Sequence, residues 1–305
     1  MSAQLKSDSA LDDTAIPVGF PPAPTRTRAT ITRIFTTFVL PLVLLLVGIG
    51  FWQWLTIDEK VSRLILPPPG AVASSFIELF KPGGIGWFHL GITFFEAMAG
   101  FLLATVVATV IATCASLSST FKRAIYPYVI ALQVTPRIAV SPIIIAALGF
   151  GTMPKVVIAS LVCFFPILIN LLTGLLSVGH NIEEMFRSVR APKRSFFRYA
   201  MVPCALPYAM PGFLTGISFA LIGAIVAEFI SGSQGLGYLI KNFSFLLNMG
   251  ASYAVVFSLT AMGLVLFGLM NLAKPAIVFW ESDRMLTARS KRMLKRSERE
   301  GIVGS

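Results

Sequence analysis

The chain has 305 residues, 55% of them hydrophobic and only 13% charged, with a mean hydropathy of +0.79. Soluble domains carry about 25% charged residues and lack apolar runs of about 20 residues, so this composition excludes a soluble globular enzyme and points to a membrane protein. The net charge of +11 would suit a nucleic-acid binder, but the basic residues lie in the connections between apolar runs, which assigns them to a bilayer surface and to no nucleic acid.

Residues 1–33 are polar, with a cluster at Pro21, Pro22 and Pro24, and read as a disordered arm. The run 34–56 is the first predicted span, long enough to cross a hydrocarbon core of about 30 Å. It starts too late and runs too long for the apolar part of a signal peptide. Next, "LPPPGAVASSFIELF" predicts an extended proline segment opening a short amphipathic helix, with Val72, Phe76 and Phe80 on one face. Further spans are expected at about 91–116, 124–150, 155–178, 206–230 and 252–279, giving an all-α, six-helix polytopic domain over 34–280. The third carries Pro127, Pro136 and Pro142 and is expected to be kinked or broken. The tight "GTMP" turn at 151–154 makes spans three and four a hairpin. A basic tail, 281–305, reads as an anchor against anionic headgroups of the lipid bilayer.

Orientation follows from Lys and Arg. With the N-terminus inside, 19 of the 25 fall on the inner side, five on the outer, and Arg137 stays unassigned within a span. Both termini are therefore expected to be cytoplasmic. Cys114, Cys163 and Cys204 sit in apolar surroundings, and His89 and His180 lie far apart, so no metal site is proposed.

The longest inner connection, 179–205, interrupts the apolar pattern. In "IEEMFRSVR", Ile182, Met185, Phe186 and Val189 recur at i, i+3, i+4 and i+7, one helical face, with Glu183, Glu184, Arg187 and Arg190 on the rest. After Ala191, Pro192 ends that helix and "KRSFFRYAM" begins another before Pro203. The pattern predicts a helix–turn–helix lying on the membrane surface, either a plain interfacial loop or a knob for a cytoplasmic partner. Ionisable groups inside spans are costly, by about 2.5–3.5 kcal/mol on insertion scales. Glu96, Arg137 and Glu228 are therefore candidates for a solute path, or for structural ion pairs. The glycines of "SGSQGLG", Gly232, Gly235 and Gly237, suggest a flexible outer loop able to act as a gate, or a plain turn.

The 179–205 connection resembles the cytoplasmic "EAA" loop of ABC-importer permeases. Aligned on Pro203, the family's Glu falls on Glu184, its alanines on Met185 and Phe186, and its Gly on Arg190. "TPRIAVSPIIIAALGFG", "LIGAIVAEFISGSQGLGYLI", "LPPPGAV" and "CALPYAMPGFLTG" are similar to segments of the nitrate/sulfonate/taurine group of these permeases, so the likeness covers roughly residues 60–280. The resemblance implies a binding-protein-dependent (type I) architecture in a bacterial inner membrane. It implies cytoplasmic ATPase subunits, which bind ATP and Mg, and an extracytoplasmic substrate-binding protein. The chain itself has no G-x-x-x-x-G-K-[ST] phosphate loop, so it is read as a transport subunit without a cofactor of its own and not as an enzyme. Six spans are thin for enclosing a polar path, which favours a homodimer. Residues 183–187 and 189–192 would couple to the ATPase and drive alternating access for a small nutrient, either a nitrate-, sulfonate- or taurine-like anion or a heteroaromatic precursor. The alternative is a secondary transporter or channel driven by an ion gradient.

Overall fold

The computed structural model describes residues 39–57, 60–278 and 280; the arm at 1–33, the first residues of the first expected span and the tail at 281–305 lie outside them. The chain divides into two compact units, Met1–Ile57 and Asp58–Ser305. The described part of the first unit is one apolar helix, α1 (Leu40–Thr56, 17 residues), with a proline in its opening turn, where the missing N–H costs nothing.

The second unit holds the rest. Helix α2 (Pro69–Phe80) also starts on a proline, buries Val72 and Leu79, and stacks Phe76 on Phe80 with ring centroids 4.9 Å apart. It packs on the last long helix, α11 (Met249–Ile277). Helix α3 (Ile85–Leu117) buries a stripe of small residues that includes Ala97, Gly100, Ala104, Ala108 and Ala112. That stripe lets α6 (Thr152–Leu175) approach closely. A Cβ on Gly100 would lie 2.5 Å from the Cβ of Ala159 on α6, and one on Gly223 of α9 (Val202–Ser231) 2.7 Å from the Cα of Ala159. Ala159 is thus clasped by glycines from two neighbouring helices, and α3, α6 and α9 form the core of the unit.

The expected break in the third span occurs at the second of its three prolines. Pro127 is absorbed inside α4 (Ser119–Val134), and Pro142 sits in the first turn of α5 (Ser141–Leu148). Between them Thr135 and Pro136 interrupt the helix, a short 3-10 turn follows at Arg137–Val140, and the two limbs bend by 88°. A residue preceding proline is pushed out of helical backbone, which places the break at Thr135. Four stretches, Ile85–Leu117, Thr152–Leu175, Lys193–Ser231 and Met249–Ile277, are each long and apolar enough to cross a membrane, and the bent pair makes a fifth if it counts as one span. Among the described residues there is no strand. The architecture is that of an all-α polytopic membrane protein.

The connection between α6 and α9 forms two short helices, α7 (His180–Ser188) and α8 (Lys193–Phe196). A π-helical turn at Phe197–Met201 joins α8 to α9, so Lys193–Ser231 runs as one helical rod of 39 residues. After α9 a short loop leads into α10 (Leu236–Phe245).

Candidate functional site

His89, Thr93 and Glu96 fall at i, i+4 and i+7 on α3, one face of the helix, and that face turns toward α6, α9 and the loop before α10. Glu96 and Glu228 are fully buried and Lys155 is 4% exposed. The Lys155 ammonium donates to Glu96 Oε1 over 2.8 Å and to the Gln234 carbonyl over 3.1 Å. Glu228 accepts from the Thr93 hydroxyl at 2.7 Å and from the Gly237 amide at 2.6 Å. The Thr93 oxygen accepts in turn from the Leu236 amide at 2.8 Å, and His89 Nδ1 accepts from the Gly235 amide at 2.9 Å. Glu96 Oε2 has no hydrogen-bond partner.

Three helices thus converge on the N-terminus of α10. The amides of Gly235, Leu236 and Gly237, orphan donors of that helix end, are all taken up by side chains of α3 and α9. The glycines are required by this closeness. Gly235 has φ +109°, and a Cβ there would overlap the Glu228 carboxylate. A Cβ on Gly237 would lie 2.8 Å from the Ile225 carbonyl and 2.9 Å from Glu228 Oε2. Where the sequence suggests a flexible loop, the backbone at 234–237 is held by four bonds from buried or half-buried side chains. The cluster has no nucleophile paired with a base, so it offers fastening and no bond chemistry.

Arg137 stands apart from this cluster. Its guanidinium donates to the Val162 carbonyl at 3.1 Å and lies 4.8 Å from the centroid of the Phe165 ring. Val162 is seven residues beyond Lys155 on α6, about 10 Å along the helix. Among the described residues Arg137 has no carboxylate partner, and it is partly exposed at the break in the third span. Of the three ionisable candidates, the structure therefore joins Glu96 to Glu228 and leaves Arg137 separate. Sequence reading missed Lys155, Thr93 and His89. The i, i+4, i+7 run of polar residues in an otherwise apolar helix was the available signal.

On α7, Arg187 pairs with Glu183 at 2.7 Å and Glu184 with His180 at 2.9 Å, both i, i+4 on the exposed face. Met185 and Val189 are 55% and 70% exposed, whereas Phe186 turns inward against Phe196, ring centroids 5.4 Å apart. The helix ends in a Schellman motif. The Arg190 amide bonds the Arg187 carbonyl and the Ala191 amide bonds the Phe186 carbonyl, with Arg190 at φ +51°. The turn normally given to glycine is therefore made by Arg190 itself, and Pro192 caps the helix that follows.

Residues 100–278 match the model of the family described as "binding-protein-dependent transport system inner membrane component". The chain belongs to that family. It is 33% identical over 244 residues to a riboflavin transport system permease protein of Chloroflexus aurantiacus, covering 80% of this chain and 90% of that one. It is 29% identical to a formylaminopyrimidine transport permease protein of Halalkalibacterium halodurans, over 77% of this chain and 95% of the other. It is 30% identical to a putative aliphatic sulfonates transport permease protein of Bacillus subtilis, over 66% and 72%. The permease is thus a multi-pass transport subunit and not an enzyme, as the resemblance implied, and an ion-gradient carrier is set aside.

Proposed function

We propose that the permease forms the translocation path of an ATP-driven importer. It takes a small nutrient from an extracytoplasmic binding protein, and it pairs with a second copy and with cytoplasmic ATPase subunits. Both termini face the cytoplasm, as the distribution of Lys and Arg favours. Coupling runs through Glu183–Pro192: Met185 and Val189 form the exposed knob, and Phe186 fixes α7 on Phe196 so that force on the knob reaches α9. Arg137, at the break in the third span, lines the path. The cluster of Glu96, Lys155 and Glu228 positions the outer loop that carries Gly232, Gly235 and Gly237.

The observation that carries this reading is the exposed amphipathic α7 at the EAA-like position of a chain in the binding-protein-dependent family. The relatives named for riboflavin, formylaminopyrimidine and aliphatic sulfonates favour a heteroaromatic or an anionic organic nutrient. The test is co-expression with a cognate ATPase subunit and binding protein, followed by co-purification and by uptake of those three solutes. Met185→Asp with Val189→Asp should abolish ATPase co-purification while the permease still reaches the membrane. Full co-purification by that variant would remove α7 as the coupling helix.

A further inference from the structure

The buried cluster around the loop before α10 carries an unbalanced charge. Its charged groups are the carboxyls of Glu96 and Glu228 and the ammonium of Lys155, all three sealed from solvent by the chain's own helices. His89 adds nothing, because its Nδ1 accepts from the Gly235 amide and the ring is therefore neutral. The neighbouring elements bring no further charge to the cluster. On α10, Tyr238 stacks on His89 with ring centroids 5.9 Å apart, and Lys241 makes no bond to the cluster. Helix α5, packed on α6 and α9 through Ile145, has no titratable residue. Tyr253 of α11 donates to the Ile65 carbonyl, and Glu78 and Lys81 of α2 pair with each other at the surface. Two carboxylates thus face one ammonium.

The excess falls on one atom. Glu228 accepts at both oxygens, from Thr93 at Oε1 and from the Gly237 amide at Oε2. Glu96 accepts from Lys155 at Oε1, while its Oε2 is buried without a partner. An ionised oxygen with no donor, in a site with no solvent, is among the costliest groups a protein can bury. A water molecule would supply a donor and leave the charge. A metal ion would need several oxygens turned toward it, yet both of Glu228 are engaged by donors, and among the described residues no group of three ligating side chains could hold one. A proton on Oε2 removes the unmet acceptor and the excess charge together.

We propose that the cluster is a proton-binding site. One proton sits on Glu96 Oε2, and the charge left on Glu228 balances Lys155. Both acids fasten the same short loop, Glu228 through the Gly237 amide and Glu96 through Lys155, which holds the Gln234 carbonyl. Loss of the proton sets two negative charges against one ammonium across that loop, and like charges sharing a site repel. The proton-bound state is the fastened one, so low pH favours it and rising pH releases the loop. Calling the loop outer rests on the orientation proposed above; the proton does not, and neither readout below uses transport, so failure here leaves the import reading standing.

The experiment uses the full chain in lipid nanodiscs. Infrared difference spectra read the carbonyl stretch of a protonated carboxylic acid. In the wild type alone, the step from neutral to alkaline pH should remove one such band, and Glu96→Gln should lack it throughout. Glu228→Gln should also lack it at neutral pH although Glu96 is intact, because Lys155 then balances Glu96 by itself. A nitroxide on Ser233→Cys, an exposed position, reads the loop in a chain whose Cys114, Cys163 and Cys204 are replaced by alanine. Its spectrum should be immobile at neutral pH and gain mobility over the range where the band disappears. With Glu96→Gln, which keeps the cluster at zero net charge, it should stay immobile over that range. Absence of a pH-sensitive band in the wild type overturns the site. So does a band that persists in Glu228→Gln, or an equal gain of loop mobility in Glu96→Gln.

Discussion

Lys155 on α6 and Glu96 on α3 meet over 2.8 Å with both side chains sealed from solvent, and the same ammonium holds the carbonyl of Gln234. A buried pair of this kind contributes little when both partners are compared with apolar replacements, yet breaking one side leaves an uncompensated charge. Lys155→Met should therefore destabilise the permease by about 3–5 kcal/mol. Lys155→Met with Glu96→Gln should recover part of that loss. Thermal unfolding in detergent of the two single variants and the double one gives the coupling; additive losses would mean the pair carries no mutual energy.

Gly235 meets two demands at once, a left-handed backbone and contact with the Glu228 carboxylate. Gly235→Ala should loosen the outer loop more strongly than Gly149→Ala, which shares a positive φ but has open space where its Cβ would go. Limited proteolysis from the outer side should show faster cutting near residues 232–236 in the first variant alone.

Arg190 occupies a left-handed position at φ +51°, which costs a non-glycine residue about 1–2 kcal/mol. Arg190→Gly should stabilise the turn by roughly 1 kcal/mol, offset in part by the added freedom of the unfolded chain. Slower hydrogen exchange at the Ala191 amide, which closes the Schellman motif, is the expected reading. Arg190→Val should move it the other way.

Arg137 is held by two carbonyls, of Val162 and Gln133, and one aromatic ring at the break in the third span. Arg137→Gln should lose these contacts, worth about 1–3 kcal/mol together. Uptake should fall at unchanged abundance and assembly. Unchanged uptake of riboflavin, formylaminopyrimidine and sulfonates would take Arg137 out of the path.

Much of the helical layout was legible because apolar run length and proline are local signals. The pattern at Val72, Phe76 and Phe80 foretold α2, and the proline-rich third run foretold a break. Which proline would make that break was not legible. Pro127 is accommodated inside α4, where its position costs a hydrogen bond without ending the helix. The sequence puts the end of α7 at Pro192, whereas the turn falls at Arg190, because glycine is a preference at a left-handed position and not a necessity. The polar cluster was the least legible part. Glu96 and Glu228 stand out as acids in apolar runs, but Lys155 directly follows the expected turn at 151–154 and reads as a headgroup-level charge. Only the packing of α3, α6 and α9 brings it inside, and that depends on Gly100 and Gly223 admitting Ala159 between them.

The rod from Lys193 to Ser231 begins beside the turn at Arg190 and ends just past Glu228. At 1.5 Å per residue its 39 residues measure about 58 Å, and a hydrogen-bonded helix cannot shorten to absorb a push. Pro207 and Pro211 lie along it, and its π turn at Phe197–Met201 lies at the end next to α8. A pull delivered there can be taken up as a twist of that joint or passed on whole. Whatever is passed on arrives at Glu228, which holds the amide of Gly237, so α7 and the loop before α10 are joined by a single mechanical member.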